Sequence, residues 1–251
     1  MMDFSPRPAG SSRARQIWAH AMMEAGLILR NGEQLILSVV FPLAMLIGGR
    51  YFGEKFGLDF RELAPSVLGM VAWSSGLTAL AISTGFERRY NVLERLTATP
   101  LGKDGILAGK AISIALITLG QVLGIVVIAL ALGWSPHIQL GATLVTALVF
   151  VSSLAAFIGL GLAMAGSLRP ETTLALANLV FLIGLPLGIV FPVSVFPDWA
   201  QLPISGLPMA ALGESLRAGS AGSVLWWPVL VSALWCALAW LLARKVFKWT
   251  S

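Results

Sequence analysis

Charge is scarce in this chain of 251 residues: Asp, Glu, Lys and Arg make up 12% of it, against 57% hydrophobic residues. Together with a mean hydropathy of +0.84, this excludes an ordinary soluble domain. A single cysteine, Cys236, excludes an internal disulfide. The two histidines, His20 and His137, lie in separate segments, far from Cys236. Three isolated ligands of this kind make no metal centre. Ser74-Ser75-Gly76 has the look of a nucleophile, but no histidine sits on an apolar run to act as its base. The phosphate-binding pattern G-x-x-x-x-G-K-[ST] is missing too. Gly109-Lys110 comes nearest and lacks the upstream glycine. No catalytic residue and no metal ligand is therefore assigned. The centres of the apolar runs carry no Asp, Glu, Lys or Arg, whereas carriers driven by protons or ions usually place ionisable groups at membrane depth.

What the chain has is long charge-free runs: 24 residues over Leu63–Phe86 and 58 over Ala111–Leu168. About 20 apolar residues span a bilayer as a helix. Only helices and closed barrels satisfy their backbone in lipid, and these runs do not alternate as barrel strands do. The expected fold is an all-α integral membrane domain over residues 1–251 with six transmembrane helices at 34–49, 66–86, 106–132, 139–168, 172–196 and 224–243. The 58-residue run is divided at Gly133-Trp134-Ser135-Pro136-His137, which has turn chemistry. No cleavable signal peptide is expected, because residues 1–33 lack an uninterrupted apolar core. An even number of spans places both termini on one side. With that side cytoplasmic, 13 of the 17 Lys and Arg residues are cytoplasmic, which follows the positive-inside rule. The pI near 9.9 then needs no nucleic-acid partner. The expected location is a multi-pass place in the inner or plasma membrane, in contact with its lipids.

Two segments fit neither span nor loop. Residues 13–30 carry Ile17, Ala21, Ala25 and Ile28 at helical spacing, with Trp18, Met22 and Leu29 beside them and polar residues between. This pattern predicts an amphipathic helix within the cytoplasmic N-terminal segment 1–33, lying on the membrane surface or packed on another chain. Phe196–Gly213 holds three prolines between short apolar pieces and predicts a re-entrant excursion on the outer side before the last span. The neutral polar residues of the spans, such as Ser113, Thr118, Gln121 and Ser153, read as interhelical hydrogen-bond partners. Gly120-xxx-Gly124 and Gly184-xxx-Gly188 read either as close helix contacts or as chance spacing.

Against this background Phe86–Lys110 stands out, with eight charged residues in 25. Pro100 limits any helix beginning at Glu87 to Glu87–Thr99. Leu93 and Leu96 are spaced i,i+3 and Tyr90 extends that face. Arg88, Arg89, Glu94 and Arg95 are left for a polar partner. A short helix of mixed charge joined to two spans is suited to receiving force from a soluble protein.

These residues also carry a resemblance. Glu94-Arg95-Leu96-Thr97-Ala98-Thr99-Pro100-Leu101, with Gly109-Lys110 opening the next span, resembles the segment between the second and third spans of ABC type-2 transporter permeases. Pro197-Asp198-Trp199, Leu207-Pro208 and Glu214-Ser215-Leu216-Arg217 resemble the family's outer pattern before the last span. Arg89 stands where the family has a second Glu, and Asn91 where it has Gly; Asn tolerates the left-handed conformation such a turn needs. The form is most similar to the drug and antibiotic efflux branch.

The resemblance implies a half-transporter that pairs with a second copy of itself or a paralogous permease. Separate ABC ATPase subunits would carry ATP and Mg2+, and this chain would bind neither. Glu87, Arg88, Arg89, Glu94, Arg95, Leu96, Thr99 and Pro100 would form the ATPase-coupling helix. Trp73, Thr78, Asn178 and Phe181 would line the path of an amphipathic, drug-like or lipid-like substrate leaving the cytoplasm or inner leaflet. The alternative is a carrier or channel that uses no ATP.

Overall fold

A computed structural model describes residues 11–30 and 32–249, with the backbone alone for 32–38. Among these residues all regular structure is helical. In chain order the helices are α1 (Arg13–Arg30), α2 (Gly32–Phe52), α3 (Phe60–Trp73), α4 (Leu80–Arg89), α5 (Val92–Thr97), α6 (Gly102–Ala131), α7 (Leu140–Ser167), α8 (Pro170–Gly184), α9 (Asp198–Ser205), α10 (Pro208–Ser220) and α11 (Trp227–Val246). A π-helical turn, Ser74–Ala79, joins α3 to α4, and another, Leu185–Val190, extends α8.

The starts of these helices are written in the sequence. The Asp59 carboxylate accepts from the Arg61 amide at 2.8 Å and so caps α3. Helices α8, α10 and α11 carry proline in their first two positions, where a missing N–H costs nothing. Among the described residues, five helical segments are long and apolar enough to cross a membrane: Phe60–Arg89, Gly102–Ala131, Leu140–Ser167, Pro170–Val190 and Trp227–Val246. The first span expected, 34–49, falls on α2, and the side chains of 34–38 lie outside the described residues. The same holds for residues 1–10 of the expected N-terminal segment. Phe196–Gly213 forms no single helix but α9 and the first half of α10.

The α7 helix is the axis of the bundle. It packs on α11, α10, α4 and the π turn after α3. Small residues make this possible. A side-chain carbon at Gly161 would stand 2.8 Å from the Leu77 carbonyl oxygen and 2.9 Å from that of Gly76. One turn away, Trp73 meets Phe157 edge to face at 4.7 Å between ring centroids. Gly120 and Gly124, by contrast, face open space, so their spacing marks no helix contact. Large apolar side chains cover the outside: Leu123 of α6 is 57% exposed and Leu230 of α11 is 74% exposed. Water would penalise such faces; lipid does not.

Pro186 has no amide to donate, and the chain leaves helical geometry at Leu187 (ψ 62°) and Gly188 (φ 99°). Only glycine takes that φ without strain. Carbonyls freed in this way need partners wherever water is absent. Arg217 of α10 supplies them, donating to Gly188 O at 2.8 Å and Ile189 O at 2.7 Å. It also reaches Ser66 Oγ at 3.1 Å and pairs with Glu214 at 2.9 Å. Glu214 in turn accepts from the Val193 amide at 2.7 Å.

The two kinds of glycine separate in a stability measurement. Gly161→Leu pushes a side chain into backbone and is expected to cost about 1–3 kcal/mol. Gly124→Ala adds a methyl group to open space and is expected to stay within about 0.5 kcal/mol of the parent. Thermal unfolding of both variants in one detergent checks this.

Candidate functional site

The charged stretch becomes the end of α4, the whole of α5 and the start of α6, separated by two turns. The α4 helix ends at Arg89. Asn91 then takes the left-handed conformation (φ 57°, ψ 21°), the only positive φ outside glycine among the described residues. The α5 helix follows. A second turn, whose Gly102 has φ 68°, leads into α6. The single helix expected over Glu87–Thr99 is therefore bent back on itself at Tyr90-Asn91. Tyr90 does not extend the apolar face: it is 66% exposed and stacks on Phe86 at 6.5 Å. Leu93 is fully buried against Leu101 and Ile106, with Ile17 of α1 and Trp249 beyond the last helix packed on the same group. The result is a short helix with an apolar root. Its outward residues Glu94, Arg95, Thr99 and Pro100 are exposed, and Leu96 is half-buried.

Beneath it lies a buried ion cluster. Lys110 Nζ is 3.0 Å from Glu24 Oε2 and 2.6 Å from Glu87 Oε2, and the whole residue is 1% exposed. Glu24 belongs to α1 and Glu87 to α4, so one ammonium group ties three helices together. His20 completes the cluster, its Nε2 standing 3.6 Å from Glu24 Oε1. Gly109 makes room for it, since a side-chain carbon there would collide with the imidazole. The Gly-Lys pair of the sequence thus has a local meaning. Glycine lets the imidazole of α1 approach α6, and lysine reaches the carboxylate one turn further along α1. Burial pushes the His20 imidazole below its ordinary pKa. Glu24 opposes that shift and Lys110 adds to it.

The remaining charges of the stretch point elsewhere. Arg88, expected to face a polar partner, is buried and donates through Nη2 to the Leu168 carbonyl at the end of α7. Its long stem lies along the bundle, and its head satisfies a carbonyl that the helix end leaves free. Arg89 is exposed and pairs with Glu171 in the first turn of α8. The short loop between α7 and α8 is thereby fastened to the end of α4.

The four residues expected along a substrate path sit in different surroundings, with Trp73 and Phe181 in contact. Trp73 is 1% exposed, its Nε1 3.4 Å from the Phe181 carbonyl and its ring against Gly184. Thr78 is half-buried in the π turn. Asn178 is exposed on α8. Phe181 meets Phe41 of α2 edge to face at 6.4 Å.

The stripe Ile17, Ala21, Ala25 and Ile28 of α1 turns inward, with Ala21 and Ala25 buried and Ile17 and Ile28 half-buried against the core, but two polar residues are buried beside it. His20, Ala21, Glu24 and Ala25 are its buried residues. Trp18, Met22, Met23, Leu27 and Leu29 are about half exposed or more. Sequence reasoning missed the inward His20 and Glu24 because their partner lies some 90 positions away. The only hint was Lys110, a charge just inside a span.

A helical bundle with several bilayer-length segments and ionised groups confined to their ends defines a multi-pass membrane protein. The chain belongs to the ABC-2 family of transporter proteins, whose pattern matches residues 51–244. It is also 25% identical over 203 residues to ycf38 of Porphyra purpurea, a protein described as a transport permease. That match covers 76% of this chain and 68% of the relative. ABC-2 permeases are membrane transport components that normally work with ATPase subunits.

Removing Lys110 leaves two partly buried carboxylates without their cation. Lys110→Met is therefore expected to cost about 3–5 kcal/mol, the range for breaking a buried ion pair. Arg95→Ala, on the exposed tip, is expected to fall within about 0.5 kcal/mol. Thermal unfolding of the two variants in parallel decides it.

The same cluster sets a pH dependence. A histidine whose pKa is lowered by folding binds its proton more readily in the unfolded chain. Stability is then complete above the unfolded value of about 6.5 and declines as pH falls through it. Glu24, Glu87 and Lys110 are the charged groups that surround His20. In unfolding measured from pH 7.5 to 5.5, His20→Gln is expected to lose less stability than the parent.

Proposed function

We propose that this chain is the permease subunit of an ATP-driven ABC exporter that moves an amphipathic, drug-like or lipid-like molecule out of the cytoplasm or inner leaflet. Six spans would place both termini in the cytoplasm of a cell whose inner or plasma membrane holds the protein. Helix α1 would lie along the inner surface, its exposed Trp18, Met22 and Leu29 in the headgroup region. Two such subunits, identical or paralogous, would face each other, and ATPase subunits carrying ATP and Mg2+ would dock beneath α5.

The observation that carries this reading is the construction of α5. Its apolar root is sunk among α1, α6 and the chain after α11, its outward charges are free, and the base below is held by Lys110. A push on Glu94, Arg95, Thr99 or Pro100 would be delivered to α1, α4 and α6 at once. Glu87 and Arg88 would serve coupling from within the base, and Arg89 through Glu171. The substrate path would run along the exposed side of α8, past Asn178, Phe181 and Thr78. Trp73 would stiffen that wall from behind. An amide on an otherwise apolar helix face is costly toward lipid, which favours a second subunit or a substrate against Asn178.

The test uses the permease co-expressed with the ABC ATPase subunit with which it would pair. Exchanging the tip charges, Glu94→Lys with Arg95→Glu, removes wet-interface contacts typically worth about 1 kcal/mol or less and adds repulsion. The expected outcome is at least a several-fold loss of ATPase co-purification, with insertion and unfolding temperature unchanged. Co-purification equal to the parent, from a correctly inserted variant, would remove α5 as the coupling element.

A further inference from the structure

One cavity among the described residues, about 740 Å3, plays no part in that reading. It is a groove between α6 and α7, floored by α3 and α10. It runs beside α7 from Thr143 to Ile158, which at 1.5 Å per residue is about 22 Å. Ala111 and Ala115 of α6 and Ala147 and Ala155 of α7 line it, and these short side chains leave the space open. Its polar groups gather at one end. His137 and Thr143 are exposed there, next to Ser220, whose carbonyl accepts from the His137 amide at 2.7 Å. Trp134 lines the same end, where an indole ring fits the boundary between headgroups and chains. The rest of the lining is apolar except for Thr146 and Trp240, whose hydroxyl and indole N–H are engaged with the Ser215 and Ala155 carbonyls.

The groove is long, apolar over most of its length and bordered by His137, Thr143 and Ser220 at one end, a pattern that matches an amphiphile with a hydrocarbon chain and a polar head. Water finds few partners along such walls. We propose that the groove is a binding site for a glycerophospholipid of the surrounding bilayer, with an acyl chain laid between α6 and α7 and the headgroup beside His137, Thr143 and Ser220. The lipid completes the packing of two consecutive spans that otherwise scarcely touch. Because the groove is built from one chain, occupancy needs neither a second subunit nor an ATPase, and it stands or falls independently of the export reading.

Native mass spectrometry of the full chain, purified briefly in mild detergent from vesicles of dioleoylphosphatidylcholine, tests this. The parent is expected to retain one phosphatidylcholine per chain. Ala147→Trp, which fills the groove, is expected to lower retention at least fivefold. Leu148→Trp, on the neighbouring exposed position outside the groove, is expected to leave it unchanged. A variant that fills the groove can also fail to fold. Ala147→Cys in a Cys236→Ser chain therefore gives a second reading without bulk: an N-alkylmaleimide added in detergent should label the introduced thiol several-fold more slowly before the lipid is stripped than after. Equal retention by both tryptophan variants, or equal labelling before and after stripping, overturns the proposal. So does a cellular amphiphile other than a glycerophospholipid that stays bound through transfer into the synthetic vesicles, which would make the groove a place for a transported molecule.

Discussion

The ammonium group of Lys110 between Glu24 and Glu87 is the constraint on which the end of the bundle formed by α1, α4 and α6 depends. Taking three charged groups out of water is expensive, and close geometry on both sides of the cation has to offset that expense. The geometry is supplied by three separate helices, so the cluster exists only when α1, α4 and α6 are all in place. A shift of any one of them leaves a carboxylate or an ammonium group buried without its partner. The cluster therefore resists gradual deformation and favours movement of the three helices as one body. The α5 helix, rooted by Leu93 in the apolar group directly beside it, inherits that rigidity.

The other end of the bundle solves a similar problem with different chemistry. There the cation is Arg217, and its acceptors are mainly carbonyls released where α8 breaks, with Glu214 and Ser66 completing the set. A planar guanidinium suits this task because its fixed fork reaches two adjacent carbonyls at once. Between the two ends the bundle uses neutral groups only, such as the 2.9 Å bond from the Ser75 hydroxyl to Gln121, and close backbone approach at Gly76 and Gly161. Ionised groups at mid-membrane would be far costlier than at either end. The distribution of charge along the chain is this energetic rule written out.

That rule explains what was legible in the sequence. Runs without charge located the long helices, because the bilayer penalises every exception. The Gly-like turn at Asn91 was legible because few residues tolerate a positive φ. The bend it produces was not, since helical periodicity alone runs straight through Tyr90. The burial of Glu24, Lys110 and Arg217 was hidden as well. Each looks like an ordinary end-of-span charge until a distant partner is placed beside it, and such partners leave no periodic trace. Gly120-xxx-Gly124 shows the converse, a spacing that suggests contact where the fold leaves open space.

The inward placement of His20 and Glu24 on α1 follows from the same cluster. The inward face of α1 has to be polar at His20 and Glu24, because Lys110 is there to be neutralised. Its outward face then carries Trp18, Met22, Met23, Leu27 and Leu29, which no part of the described chain covers. In water such a helix would turn over, burying those side chains and exposing the charges. It keeps its orientation only if something apolar lies outside, and a bilayer around the spans supplies that without any further protein. On the proposed reading the membrane would hold α1 from one side, while Lys110 and the packing of Ile17, Ala21, Ala25 and Ile28 hold it from the other.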